Sequence, residues 1–472
     1  MTGPRLRQHD RVLQSRPEDG PGPGPGSVRP RAARRVDPVQ LVAGAFAVTI
    51  AVGTGLLMLP SSSAAAGGAT FLQALFTATS AVCVTGLAVV DTGSHWSGSG
   101  QAVVLVLVQL GGLGIMTATS VVTLLLFRRL GLRSRLLAQT EAGLPELGGV
   151  QTLVRRVVVL ALAVEAAVAL ALAARFAVLG DSAGTAAWRG VFHSVMAFNH
   201  AGFALFSDSF ASRALDEWLT VPLMVAIVVA SLGFPVLFEV AREWRRPRSW
   251  SLHSRLTLLG TAVLVVGGTL GVAALEWRNA GTLGDLAVGD KLAVALFQSV
   301  NPRTAGFQSL DYAEAHPATL LLTDVLMFIG GGAASTAGGV GVATCLLLGA
   351  VLLAEARGDV DVTALGRRAP AGTVRQAFSI ALLAVLAVVV STAAMTLLAD
   401  LELGAALFEV TSALATVGLS VGVTGSLPPS AQVLLVVLMY VGRLGPLAVA
   451  SVLLAREARV RYRLPEERVL LG

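Results

Sequence analysis

Cysteine is nearly absent: 472 residues contain only Cys83 and Cys345, both inside apolar stretches. Two thiols so placed exclude a disulfide framework and a thiolate metal site, and both read as packing residues. Charge is scarce too, at 14% of residues, so the chain lacks the solvated surface of an ordinary soluble domain. Lysine is reduced to Lys291, which leaves the formal charge of +6 to arginine. The first apolar run begins only near residue 38, behind an Arg-rich, Pro/Gly-rich lead, and this does not resemble a cleaved signal peptide with its short charged region.

What is present is apolar, with 54% hydrophobic residues and a mean hydropathy of +0.73, the range of a polytopic membrane protein. A helix crosses about 30 Å of hydrocarbon with about 20 residues. Eight segments are long enough: 38–59, 102–127, 157–174, 219–240, 256–275, 318–354, 377–399 and 431–455. Of the 35 basic residues, 28 fall in 1–37, 128–156, 242–255, 355–375 and 456–472, which alternate correctly to share one face. The positive-inside rule therefore puts both termini in the cytoplasm and makes the basic balance a matter of anionic lipid, with nucleic acid excluded as a partner.

Between the helices of each pair lies a shorter apolar piece on the Arg-poor side: FTATSAVCVTGL (76–87), FHSVMAFNHAGF (192–203), FQSVNPRTAGF (297–307) and FEVTSALATVGL (408–419). At about a dozen residues these suggest re-entrant segments. Each opens on Phe and closes on Gly plus a large apolar residue, and Gly86, Gly202, Gly306 and Gly418 recur every 104 to 116 residues. Such a period means four copies of a helix, re-entrant loop, helix unit. All four leave from and return to one side, so they can be related by an axis along the membrane normal. Interfacial hairpins, with Gly serving only close packing, are the plainer alternative.

The expected fold class is an all-α polytopic membrane protein with four parallel repeats around a pseudo-fourfold pore. The repeats occupy 38–128, 151–241, 255–354 and 374–455, between a disordered basic tail (1–37) and a C-terminal tail (456–472). Irregular backbone at membrane depth needs protein or water for its polar groups, and a pore supplies water. Gly reaches positive φ cheaply, so four such loops can present rings of carbonyls that replace a cation's hydration shell.

Several motifs together, TATSAVCVTGL, QLGGLGIMT (109–117), FNHAGF, NPRTAGF, FIGGGAASTAGGV (328–340), TVGL and GRLGP (442–446), resemble the ion-conducting subunit of the Trk/Ktr/HKT superfamily of potassium transporters, most closely its KtrB type, over about 38–455. The resemblance implies potassium uptake across the plasma membrane. The filter carbonyls would belong to Val84, Thr85, Gly86 and Leu87; Asn199, His200, Ala201 and Gly202; Arg303, Thr304, Ala305 and Gly306; and Ala415, Thr416, Val417 and Gly418. Members with Ser at the first filter glycine tend to prefer Na+, so Gly86 argues for K+. A less selective Na+/K+ transporter or channel of the same fold stays open beside it, as does Na+ coupling. The resemblance also implies a homodimer and a cytosolic regulatory ring of KtrA or TrkA type, through which alone a nucleotide would act.

The apolar segment 318–354 exceeds one span and is interrupted at Gly330, Gly331, Gly332, Ala333, Ala334, Ser335, Thr336, Ala337, Gly338 and Gly339. Glycine costs a helix about 1 kcal/mol each against Ala. The stretch resembles the family's intramembrane gate, and its alternative is a small-residue packing seam. The family commonly has Lys shortly after the Gly pair, where Gly341 stands here, and Asn where His200 stands. That histidine is either a loop hydrogen-bonder or a pH-sensitive element. Arg443 lies mid-span, which costs about 2.5–3.5 kcal/mol on insertion scales. In the family it faces the pore as an electrostatic barrier or braces the gate, whereas a structural reading pairs it with Glu409 or Asp324. Glu165 and Glu239 are expected to be structural. Two further classes fit the sequence less well. A hydrolase using Ser335 and a histidine lacks a paired acid motif, and an alternating-access carrier should show a corresponding pair of broken helices where only one is expected here.

Overall fold

A computed structural model describes residues 38–65, 67–129 and 150–455, with side chains for 40–65, 67–117 and 151–445. The two tails expected at 1–37 and 456–472 lie outside the described residues.

The elements fall into four units of one order. Unit 1 comprises α1 (Pro38–Leu57), α2 (Phe71–Val82) and α3 (Gly98–Arg129); unit 2 comprises α4 (Val150–Val178), α5 (Ala183–Asn199), α6 (Glu217–Leu232) and α7 (Phe234–Glu243). Unit 3 is α8 (Leu252–Glu276), α9 (Val288–Val300), α10 (Pro317–Ile329) and α11 (Val342–Arg357); unit 4 is α12 (Ala371–Ala399), α13 (Leu403–Leu414) and α14 (Pro429–Ala455). A two-stranded hairpin, Thr363–Ala364 with Arg367–Arg368, joins units 3 and 4.

Helices α1, α3, α4, α8 and α12 are long and apolar enough to cross a membrane. The middle helices α2, α5, α9 and α13 have 12, 17, 13 and 12 residues. At about 1.5 Å per residue they reach only roughly 18–26 Å, so they enter the apolar layer without crossing it. Their shared Phe residues, Phe76, Phe192, Phe297 and Phe408, are fully buried. Each middle helix also packs against the returning helix of the preceding unit: α5 on α3, α9 on α6, α13 on α10 and α2 on α14. That last contact closes the cycle.

One expectation is corrected. The segment 219–240 does not run as a continuous helix: α6 and α7 meet at 96°. Gly233, at φ +83°, separates them. Pro235 has no N–H to give the carbonyl of Ser231 and its ring crowds that carbonyl, so the helix cannot continue. The freed Ser231 carbonyl instead accepts the N–H of Gly332 at 2.7 Å. Two returning helices are therefore broken, and they touch at their breaks.

Candidate ion pathway

Each middle helix ends in a short segment of unusual backbone. Val84, His200, Thr304 and Thr416 have φ of 56°, 64°, 77° and 52°, and the glycine two residues on, Gly86, Gly202, Gly306 or Gly418, has φ of 91°, 63°, 77° or 95°. Left-handed conformations cost a side-chain-bearing residue about 1–2 kcal/mol, and one recurring at the same place in all four units must be held by its surroundings. Three of the four holding bonds are equivalent, and the fourth, in unit 3, is one residue shorter. Thr85, Ala201 and Val417 donate their N–H groups to Ser80, Met196 and Ser412 carbonyls, each at 2.8 Å, and Ala305 donates to Asn301 at 2.9 Å. Ser80 and Ser412 side chains add bonds from the N–H groups of Gly86 and Gly418, at 3.0 and 3.1 Å.

The segments form a closed ring. A Cβ placed on Gly86 would stand 2.2 Å from the carbonyl oxygen of Ala201, and one on Gly202 would stand 2.9 Å from that of Ala305. One on Gly306 would lie 2.3 Å from Val417 O, and one on Gly418 would lie 2.1 Å from Thr85 O. So the same carbonyl of each unit abuts the glycine of the unit before it. Among the described residues the carbonyls of these four three-residue segments accept no hydrogen bond, apart from Ala201, which takes the Phe203 N–H at 2.8 Å. Buried carbonyls are almost always paired. A ring of unpaired ones can do what water does for a cation.

The remaining expected filter residues flank these segments. Leu87 is one residue past its glycine and buried. Asn199 ends α5, and its amide donates to Gln109 Oε1 at 2.8 Å and Glu165 Oε1 at 3.0 Å. Arg303 is fully buried, with Nη2 donating to Ser231 at 3.3 Å and Thr261 at 3.2 Å. Ala415 caps α13. His200 has both ring nitrogens engaged, Nδ1 with the Thr304 hydroxyl and Nε2 with the Ile227 carbonyl, each at 3.0 Å.

On one side of the ring a cavity of about 300 Å³ opens, walled by Gly86, Gly202, Gly306 and Gly418 together with Asp91 and Gln308. Near this mouth, partial burial opposes ionisation of Asp208, but hydrogen bonds from Ser212 and the charge of Arg213, 3.8 Å away, outweigh it and hold the carboxyl below its ordinary range.

On the other side lies the interruption between α10 and α11. It bends at Gly330, Ala334 and Gly339, all at positive φ. Its contacts reach three units: Thr336 donates to Phe198 O at 3.1 Å, Gly338 N–H to the Thr304 hydroxyl at 3.2 Å, and Arg443 Nη1 to Thr336 O at 2.7 Å. Phe234, just past the break in α6, donates to Ala334 O at 3.4 Å. Gly331, Gly332, Ala333 and Ala337 complete the loop, and a Cβ on Gly338 would lie 2.2 Å from Ala415 O, directly against the glycine segment of unit 4.

Neither acid proposed for Arg443 is its partner. Glu409 accepts from Ser420, Val421 and Thr424 beside the mouth, and Arg443 spends its bond on the loop carbonyl. Ser335 donates to Gly332 O at 2.6 Å and accepts the Ala337 N–H at 3.1 Å, a local turn bond. His193 bridges Arg189 O and Leu205 N–H. Glu165 and Glu239 accept from Gln109 and Asn199, and from Ser251 and Ser254, respectively. The sequence reading missed the break at Gly233 and the hydroxyl of Thr304. Gly followed two residues later by Pro inside an apolar span was the available signal for the first; the second left none.

A family model described as TrkH, cation transport protein, matches residues 31–459. The Ktr system potassium uptake protein B of Bacillus subtilis is 37% identical over 440 residues, 93% of this chain and 97% of its own. The potassium/sodium uptake protein NtpJ of Enterococcus hirae is 35% identical over 457 residues, 94% of this chain and 99% of its own. Among solved structures, the potassium transporter TrkH from Vibrio parahaemolyticus superposes with a TM-score of 0.70 at 19% identity, covering 92% of this chain and 87% of that one, and so shares the fold. With four equivalent units, a closed ring of glycine segments and a match over nearly its whole length, the chain belongs to the TrkH family of cation transport proteins, as a KtrB-like member.

Proposed function

We propose that this chain is the ion-conducting subunit of a potassium uptake system of the plasma membrane. One observation carries the reading: a cyclic set of buried carbonyls, of which only Ala201 O accepts a hydrogen bond among the described residues. A dehydrated K+ supplies the missing partner. In this reading the coordinating groups are the carbonyls of Val84 to Leu87, Asn199 to Gly202, Arg303 to Gly306 and Ala415 to Gly418, and the repeats keep the boundaries 38–128, 151–241, 255–354 and 374–455. The loop Gly330–Gly339 is the gate, and Arg443 braces it. Both termini face the cytoplasm, where two copies of the chain meet a nucleotide-binding regulatory ring; a multi-subunit assembly is supported by relatives that are named as proteins of a Ktr system.

A less selective Na+/K+ pathway is the second reading. It is favoured by the relative named for both ions. Purified protein in liposomes under a K+ gradient, with Rb+ and Na+ as competitors, separates the two: K+ and Rb+ should pass while Na+ competes poorly. Equal competition by Na+ would select the second reading, and no flux of any alkali cation would end both.

A further inference from the structure

A groove outside the ion pathway has its own chemistry. It lies between α4 and α7 and is lined by Thr152, Arg155, Arg156, Val159, Leu160, Ala163 and Phe238. The α4 residues follow helical spacing along one face, and they are segregated along it. Thr152 and the two arginines stand at the start of the helix, and Val159, Leu160 and Ala163 continue for about 10 Å beyond Arg156, at about 1.5 Å per residue. The groove exists because α6, which packs on α4, turns away by 96° at Gly233 and carries α7 with it. That leaves a wedge between the two helices.

No described residue fills the charge requirement of this wedge. Arg155 and Arg156 are exposed, and among the described residues neither guanidinium has a hydrogen-bond or ion-pair partner. Glu239, the acid next to Phe238, is engaged by Ser251 and Ser254. Val159 is 58% exposed, so an apolar wall faces outward beneath two unneutralised cations. A soluble anion would match the arginines and waste the wall, whereas a neutral acyl chain would match only the wall.

We propose that this groove binds one anionic phospholipid, its phosphate held by Arg155 and Arg156 and an acyl chain laid along Val159, Leu160, Ala163 and Phe238. The proposal rests on the reading of residues 128–156 as lying at the inner leaflet, where anionic lipid attracts basic residues. The site adjoins the gate: Phe238 contacts Phe234, ring centroids 6.0 Å apart, and Phe234 N–H donates to Ala334 O.

Lipid retention on the purified full chain, measured by native mass spectrometry after extraction from vesicles of equal phosphatidylcholine and phosphatidylglycerol, tests it. The wild type should retain phosphatidylglycerol over phosphatidylcholine, and Arg155→Gln/Arg156→Gln should lose roughly thirtyfold of that preference, at about 1 kcal/mol per arginine. Arg357→Gln/Arg375→Gln, which removes the same charge from exposed positions elsewhere, should keep it. Equal loss in both pairs, or no preference in the wild type, would overturn the site. Val159→Gln/Ala163→Gln should also weaken retention, and unchanged retention would reduce the groove to a charge effect and overturn the acyl contact. A lipid signal abolished by excess inorganic phosphate would mark a soluble-anion site and likewise sink the proposal. Potassium flux in the same vesicles reports on conduction separately, so a failed flux assay leaves the lipid result standing.

Discussion

Nδ1 of His200 lies 3.0 Å from the hydroxyl of Thr304, and that same hydroxyl accepts the N–H of Gly338 in the intramembrane loop. One oxygen thus ties the glycine segment of unit 2, the glycine segment of unit 3 and the intramembrane loop. A displaced loop must give up this bond. Thr304→Val would leave two buried groups without partners, at about 1–3 kcal/mol each, while Thr304→Ser keeps the oxygen. The valine variant should show altered K+ over Na+ competition in liposomes and the serine variant should not; matching profiles would mean that the bond serves stability alone.

The engagement of both His200 nitrogens also bears on acid sensitivity. With Nε2 spent on Ile227 O and Nδ1 on Thr304, the ring works as a fixed bridge between α6 and the glycine segment of unit 3. Conductance against external pH should therefore follow the same curve in the wild type and in His200→Asn across the range where histidine usually titrates. A fall in wild-type conductance on acidification that the variant lacks would restore the sensor reading.

Two glycines of the same cavity separate backbone strain from close approach. Gly86 (φ +91°) has Ala201 O 2.2 Å from where a Cβ would be, whereas Gly422 (φ +88°) has open space there. Gly422→Ala should cost only the left-handed penalty of about 1–2 kcal/mol and leave K+ flux intact. Gly86→Ala adds a collision with the ring itself, so flux or selectivity should fail. Equal effects from the two would remove the ring from the account.

The contrast between these features explains what the sequence could reveal. Gly86, Gly202, Gly306 and Gly418 were legible because their function is a backbone torsion that few residues tolerate, repeated four times at a readable period. Arg443 was legible as an anomaly of charge, although its partner was not: Thr336 is 107 residues away, and any carbonyl can accept from a guanidinium. Hydropathy alone hid the break in α6, since Gly and Pro inside SLGFPV change geometry without changing apolarity. The groove on α4 was hidden for another reason. Its arginines read as sidedness, and only the turn of α7 gives them an apolar floor.

Arg443 holds the loop by a single 2.7 Å bond to Thr336 O, with its Nε and Nη2 unpartnered among the described residues. A buried guanidinium with donors to spare is costly, about 2.5–3.5 kcal/mol on insertion scales, and its removal should not weaken insertion. Arg443→Gln should change K+ flux several-fold more than membrane abundance, and deletion of Ala333 to Gly338 should raise flux outright. Parallel losses of flux and abundance in the first, or unchanged flux in the second, would return both features to a structural role.

The junction at Gly233 offers the sharpest control over the gate, because its cause is one missing donor. Ser231 O is available to Gly332 only while residue 235 is proline. Pro235→Ala restores a competing N–H and lifts a helix penalty of about 3 kcal/mol, so α6 and α7 should move toward one continuous helix and release the loop from Ser231. Gly233→Ala acts at the same place by collision, since its Cβ would meet Ala333 O at 2.4 Å. Both variants should raise basal K+ flux without the regulatory partner, and accessibility of a cysteine placed at Ala334 should rise with it. If flux rises while Ala334 stays protected, the break acts on the pathway by some route other than the loop; if neither changes, the contact between the two broken helices is packing and carries no gating load.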